Sequence, residues 1–194
     1  MAALGNGTSG VRIVASSTVV GGAAPGAANL IEFNVGAGVT VESGTGNSIL
    51  SNSIDANGGL GIDLFPSGVT PNDPGDPDAG ANNLQNFPSV GLVTSFCAFT
   101  CFTRIPVTLD STPNTQFRLE FFSNPACDPS GNGEGRQFLG SASLTTGSGG
   151  SASTFVVLPV RVSGGSVVTA TATDPAMNTS EFSNCAPVFF RGHP

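Results

Sequence analysis

The amino-acid sequence predicts an all-β protein in two parts, a short parallel β-solenoid of about three coils followed by a β-sandwich. Three observations carry this. Short aliphatic runs recur at a 23-residue spacing in the first third of the chain. Strand-length runs separated by Gly, Ser, Asn and Pro fill the second half. The 27 Gly, 14 Pro and only 10% charged residues suit many turns and short strands, and the persistent β-branched runs exclude a disordered chain.

The repeat comes first along the chain. Asn29 to Val41 reads NLIEFNVGAGVTV, and Asn52 to Leu64 reads NSIDANGGLGIDL. At that offset Ile31 meets Ile54, Asn34 meets Asn57, Gly38 meets Gly61, Val39 meets Ile62 and Val41 meets Leu64. A partial copy, NGTSGVRI, lies 28 residues earlier and aligns Asn6 with Asn34, Val11 with Val39 and Ile13 with Val41. Its five extra residues fit a loop at GGAAPGA. Alternate residues of a strand point inward, so the register predicts aliphatic ladders Val11/Val39/Ile62 and Ile13/Val41/Leu64. Asn6, Asn34 and Asn57 stack at a corner, where side-chain amides bond along the axis. An antiparallel meander gives no reason for so fixed a register.

Residues 1–70 are therefore read as coils, 71–88 as an Asp/Pro/Asn-rich junction and 89–194 as the sandwich. In the junction, PNDPGDPDAGANN offers Asp73, Asp76 and Asp78, oxygen ligands of the kind calcium takes. Their D-x-x-D-x-D spacing departs from the EF-hand pattern. The competing reading is a rigid polar linker in which Asp before Pro sets turns.

Seven strand candidates follow: SVGLVTSF, RIPVTLD, QFRLEFF, QFLGSASLTT, STFVVLPV, SVVTATATD and TSEFSNCAPVFF. That number, with turns between, is the expectation for an Ig-like β-sandwich. Asp128, Asn132 and Glu134 read as a Gly-rich hairpin connection, and Asp174, Asn178 and Glu181 as a turn after a strand. Phenylalanine is the only aromatic, with 14 copies. A sugar-stacking platform more usually displays Trp or Tyr, so the rings read as core, with Phe121 and Phe122 facing opposite ways.

Absences exclude whole chemistries. The chain has no Lys, Tyr or Trp, and its only histidine is His193. Schiff-base chemistry is impossible, His-rich metal sites fail by count, and a Ser-His-Asp triad would have to recruit a tail residue. Carboxylates remain, and glycosidases run on two of them. A formal charge of −7 argues against nucleic acid, and no apolar run approaches the ~20 residues of a membrane helix.

Cys97, Cys101, Cys127 and Cys185 form an even set. Zinc ligation is one reading, but Cys127 and Cys185 are isolated rather than paired, and two disulfides in an exported protein is the simpler one. Spacing leaves the connectivity open. MAALGNGTSG lacks the charge and apolar core of a signal peptide, which suggests a segment of something longer.

The runs GNSILSNSIDANGGLGIDL and GVTPNDPGDPDAGANNLQNFP resemble the terminal coils of bacterial right-handed parallel β-helix repeat proteins. FRLEFFSNPACDPSGNGEGRQFLG and VVTATATDPAMNTSEFS resemble the Ig-like domain that follows such coils. The likeness runs from Val11 to Cys185 and departs in having fewer than three complete coils. It implies a secreted or cell-surface protein without defined activity. The expected function is a non-enzymatic structural or adhesion module, contacting surface glycans or proteins. The alternative is a fragment of a carbohydrate-active β-helix enzyme, for which Glu32, Glu42, Asp55 and Asp63 are the coil carboxylates. An uncapped first coil, with Val11 and Ile13 at its edge, predicts self-association as a dimer or filament.

Overall fold

Three-residue strands between glycine and asparagine corners organise the first third of the chain. The computed structural model describes residues 4–192, so His193 lies outside the described residues. β1 (Val11–Ile13), β2 (Val19–Gly21) and β3 (Leu30–Glu32) are followed by β4 (Val39–Val41), β5 (Ser48–Leu50) and β6 (Ser53–Asp55), and then by β7 (Ile62–Leu64). They form three parallel ladders, β1-β4-β7, β2-β5 and β3-β6. Val11 pairs Val39 and Val39 pairs Ile62, as Ile13 pairs Val41 and Val41 pairs Leu64. The 23-residue offset also sets β3 against β6, through Ile31 and Ile54. The longer first repeat is absorbed between β2 and β3. The inward residues of all three ladders share one apolar cluster.

Asparagines run along two corners. The Asn6 amide donates to Asn34 Oδ1 at 2.9 Å, and the Asn34 side chain donates to Asn57 Oδ1 at 2.8 Å. Asn29 donates likewise to Asn52 at 3.0 Å. An amide side chain both donates and accepts, so one residue type can be stacked indefinitely.

Beyond a short 3₁₀ turn (Ala81–Leu84) come β8 (Ser89–Val90), β9 (Val93–Cys97), β10 (Cys101–Asp110) and β11 (Gln116–Asn124). β12 (Gln137–Thr145), β13 (Ser151–Leu158), β14 (Val167–Thr173) and β15 (Ala186–Gly192) complete the chain. One layer holds β12-β11-β14 and the other β15-β9-β10-β13, with β8 also on β10. β15 joins them, pairing β14 through Ala186 and Pro187 and then β9 through Val188 to Gly192. Phe117, Leu119, Phe121 and Val168 from one layer meet Val93, Ile105, Leu109 and Val188 from the other in a second apolar cluster. With 43% strand, 2% helix and no closed barrel, the described residues are all-β.

Two strand candidates differ from expectation. SVGLVTSF divides into β8 and β9, because the Gly91 amide turns to donate to the Pro106 carbonyl at 2.9 Å. In TSEFSNCAPVFF only Ala186 onward is strand, since Thr179 to Phe182 turn toward the ladders. The cysteines bond as Cys97–Cys101 and Cys127–Cys185, leaving none as a free thiol or zinc ligand. The second bridge spans 58 residues of chain, and losing a loop closure of that size costs about 2–5 kcal/mol.

The ladders and the sheets meet at Phe182. A Cβ built on Gly61 would lie 2.7 Å from this ring, and one on Gly135 would lie 2.5 Å from it. Gly61→Ala is therefore expected to destabilise by about 1–3 kcal/mol through overpacking, lowering the melting temperature by several degrees. Gly7→Ala, with nothing within 4 Å of its added methyl, is the control and should melt as the wild type does in the same thermal scan.

Candidate functional site

A stack of parallel strands ends in a row of backbone groups with no next strand to bond. Here the edge formed by β5, β6 and β7 is met by side chains from the C-terminal half. The Ile49 amide donates to Thr179 Oγ1 at 3.0 Å, and the Gly46 amide donates to Asn178 Oδ1 at 2.6 Å. Ser51 donates its amide to Glu120 Oε2 at 2.7 Å and its hydroxyl to Oε1 at 3.0 Å. Leu64 and Thr70 donate their amides to the two oxygens of Glu181, at 3.0 and 2.9 Å. The corner asparagine row ends on a carboxylate, because Asn57 donates its side-chain amide to Glu134 Oε1 at 2.8 Å. Ile54 and Gly135 exchange two backbone hydrogen bonds, both 2.9 Å.

Each acceptor is placed by its own element. Glu120 sits mid-strand in β11, held by the Arg118 guanidinium at 2.7 Å. Glu134 lies between β11 and β12, and Glu181 between β14 and β15. All three carboxylates are buried, as are the Phe122 and Phe182 rings that cover the ladder core between them. These rings meet edge to face, 5.3 Å between centroids. Phe121 turns the other way, into the core between the sheets, so the adjacent rings serve both apolar clusters.

Burial raises the Glu134 and Glu181 carboxyls from the ordinary 4.5 to about 7, outweighing the amide donors that favour the charged form. Perturbed acids of this kind are a signature of catalytic sites. Their oxygens here face amide donors, the Asn57 side chain for Glu134 and the Leu64 and Thr70 backbone for Glu181, instead of an open cleft.

The junction acids converge. Asp73, Asp76 and Asp78 each place an oxygen so that all lie within 4.8 Å of one another. Asp76 accepts from the Ser111 hydroxyl, the Gln85 side chain and the Asn86 amide. Burial, with Asp78 and Asp73 adding repulsion, raises its carboxyl to about 6. Asp73 Oδ1 and Asp78 Oδ1 are buried without any hydrogen-bond donor among the described residues. Three carboxylates with two unpartnered oxygens fit a hard cation such as calcium, which takes oxygen ligands alone.

The remaining sequence-predicted residues scatter. β1 is the outer strand of its ladder, but the Ile13 side chain is buried and Val11 half-buried. The apolar surface near this edge comes from Val19, Leu30, Phe33 and Val35. Glu42 pairs with Arg12, Asp55 with Arg136 at 3.6 Å, and Asp63 accepts the Gly68 amide at 3.1 Å. Asp128 accepts the Ser130 amide within its loop, and Asp174 fixes Asn178. Seven of the phenylalanines are exposed, among them Phe102, Phe155 and Phe189, so core packing accounts for only part of the set.

The edge acceptors are not legible in the sequence, where Glu134 and Glu181 read as turn residues and Glu120 carries no expectation. The available signal was an acid flanked by Leu119 and Phe121 in the run FRLEFF, which a buried strand admits only with partners. The two disulfides suggest an oxidising environment. Among the described residues no helix is long and apolar enough to cross a membrane. The chain matches no protein-family model and no curated protein sequence.

Raised folded-state carboxyls make stability depend on pH in a fixed direction. Glu134 and Glu181 hold a proton in the folded protein up to about 7 but only to 4.5 otherwise, so their contribution is full at acid pH and is lost as pH rises through about 7. Glu42, lowered by the Arg12 hydrogen bond, acts oppositely and only below the ordinary carboxylate range. The melting temperature should fall by a few degrees between about pH 5 and about pH 8, and the double variant Glu134→Gln/Glu181→Gln should flatten that slope.

Proposed function

We propose that the chain is a non-enzymatic extracellular module with a structural or adhesive role. In this reading the ladders are coils of a right-handed parallel β-helix, and the C-terminal sheets are an Ig-like β-sandwich that terminates it. The supporting observation is the use made of the acids. The carboxyls most perturbed toward catalytic values, Glu134 and Glu181, are occupied by amide donors, the Asn57 side chain for Glu134 and the Leu64 and Thr70 backbone for Glu181. Among the coil acids, Glu42 and Asp55 face arginines and Asp63 an amide.

Incubation with pectin, alginate or chitin should release no new ends. Cleavage that disappears in Asp55→Asn or Asp63→Asn would overturn the reading and favour the carbohydrate-active enzyme instead.

Calcium at the junction belongs to the same proposal, favoured by the unpartnered oxygens of Asp73 and Asp78. Chelation should lower the melting temperature by several degrees, and Asp78→Asn should remove the difference. Equal melting with and without chelator would reduce the cluster to a turn-forming linker.

Self-association is the third part. The trailing edge carries the protein's own side chains, so coil-to-coil contact is left to the β1, β2 and β3 side, where identical edges meet head to head and close as a dimer rather than a filament. Sedimentation at low micromolar concentration should give a dimer that Leu30→Glu dissociates, and a persistent monomer would refute it.

A further inference from the structure

Six arginines are the only strong cations of this chain. Arg12, Arg118 and Arg136 face carboxylates. Among the described residues Arg104, Arg161 and Arg191 have no such partner, although acids outnumber arginines 13 to 6. Arg104 instead lies over the Phe155 ring, 3.4 Å from its centroid, and Arg161 over Phe190 at 4.7 Å.

Strand register puts two of these arginines on one surface. Phe189 pairs Thr94, Thr94 pairs Arg104, and Arg104 pairs Val157, making one row across β15, β9, β10 and β13. Two residues further along, Arg191, Phe96 and Phe102 make a second row. Their alternates Val93, Ile105, Val156 and Val188 are buried in the core, so both rows lie on the outer face of the layer. Phe102 is 39% exposed, Phe155 56%, Val157 57% and Phe189 58%, an apolar patch rather than scattered single residues. Beside them an open groove of about 580 Å³ is walled by Ser89, Thr108, Ser153 and Thr154, with Pro106 and Phe155 as its apolar side.

We propose that this outer face binds an anionic polysaccharide, with sugar rings on Phe155, Pro106 and Phe102, and acid groups on Arg104 and Arg191. The proposal rests on the extracellular adhesive reading and names its partner. The chemistry is matched in both components. Ring faces and a hydroxyl-lined groove suit pyranose C–H faces and hydroxyls, and a guanidinium fork suits carboxylate or sulfate. The acidity of the whole chain does not oppose this. The 4–88 region carries seven acids against Arg12 alone. The remainder carries five arginines against six acids, of which Glu120, Glu134 and Glu181 are buried at the ladder edge. Distant surface charge is screened beyond about 8 Å at physiological salt.

The test is affinity electrophoresis of the full chain through gels containing polygalacturonate, heparin or neutral dextran. Retardation by polygalacturonate or heparin and not by dextran is expected, the first two arms separating carboxylate from sulfate recognition. Arg104→Gln and Phe155→Ser, each confirmed folded by its thermal melt, should weaken retention about tenfold or more. Arg12→Gln, on the ladders, should not. Absence of retardation by either polyanion, equal retardation by dextran, or wild-type retention of Arg104→Gln would each overturn the proposal. Polymer length, followed in the same samples, tests the non-enzymatic reading separately, since shortening would overturn that reading while retention alone scores binding.

Discussion

A parallel strand stack cannot end without cost, because its last strands present amides that water or another group must satisfy. Inside a protein each unsatisfied buried amide costs about 1–3 kcal/mol. Three ladders only two or three strands deep have little interior over which to spread that cost. The closing of the β5, β6 and β7 edge is therefore the condition on which the rest of the fold depends. It is met by side-chain acceptors reaching from the C-terminal sheets, and the two halves of the chain share that surface. Phe122 and Phe182 close the apolar interior at the same place where Glu120 and Glu181 close the backbone and Glu134 closes the asparagine row.

Carboxylates are a costly choice of acceptor. Each can accept from several amides, as Glu181 does from Leu64 and Thr70, and such charge-assisted bonds contribute about 1.5–3 kcal/mol. Burial of the charge opposes this gain, and the rise of Glu134 and Glu181 to about 7 is the visible balance of the two. Glu120 is treated differently, with Arg118 beside it as a counter-charge. The asparagine row needs no charge until its end, where Glu134 stands in the place of a next asparagine.

Legibility in the sequence follows the range of the interaction. The ladders were readable because Val39/Ile62 and Ile31/Ile54 repeat at one offset, and the corner asparagines repeat with them. The Cys pairing was not, since four cysteines admit three connectivities. Nor were the edge acceptors. Gly46 and Asn178 lie 132 residues apart and Leu64 and Glu181 lie 117 apart, so no local pattern links them. The outer face with Arg104 and Phe155 was hidden by a different effect. Alternation shows that one side of β10 and β13 is exposed, but only the register of neighbouring strands shows that rings and guanidiniums share it.

Native-state hydrogen exchange, resolved by residue, tests the closing of the edge most directly. Ile49, Ser51 and Leu64 have their amides on side-chain acceptors from the C-terminal half. Arg12 lies on the outer strand β1, between Val11 and Ile13, which face β4. The first three amides should exchange only on global unfolding, orders of magnitude more slowly than the Arg12 amide. Exchange of Ser51 and Leu64 as fast as that of Arg12 would mean that the edge is open and that the two halves are merely tethered.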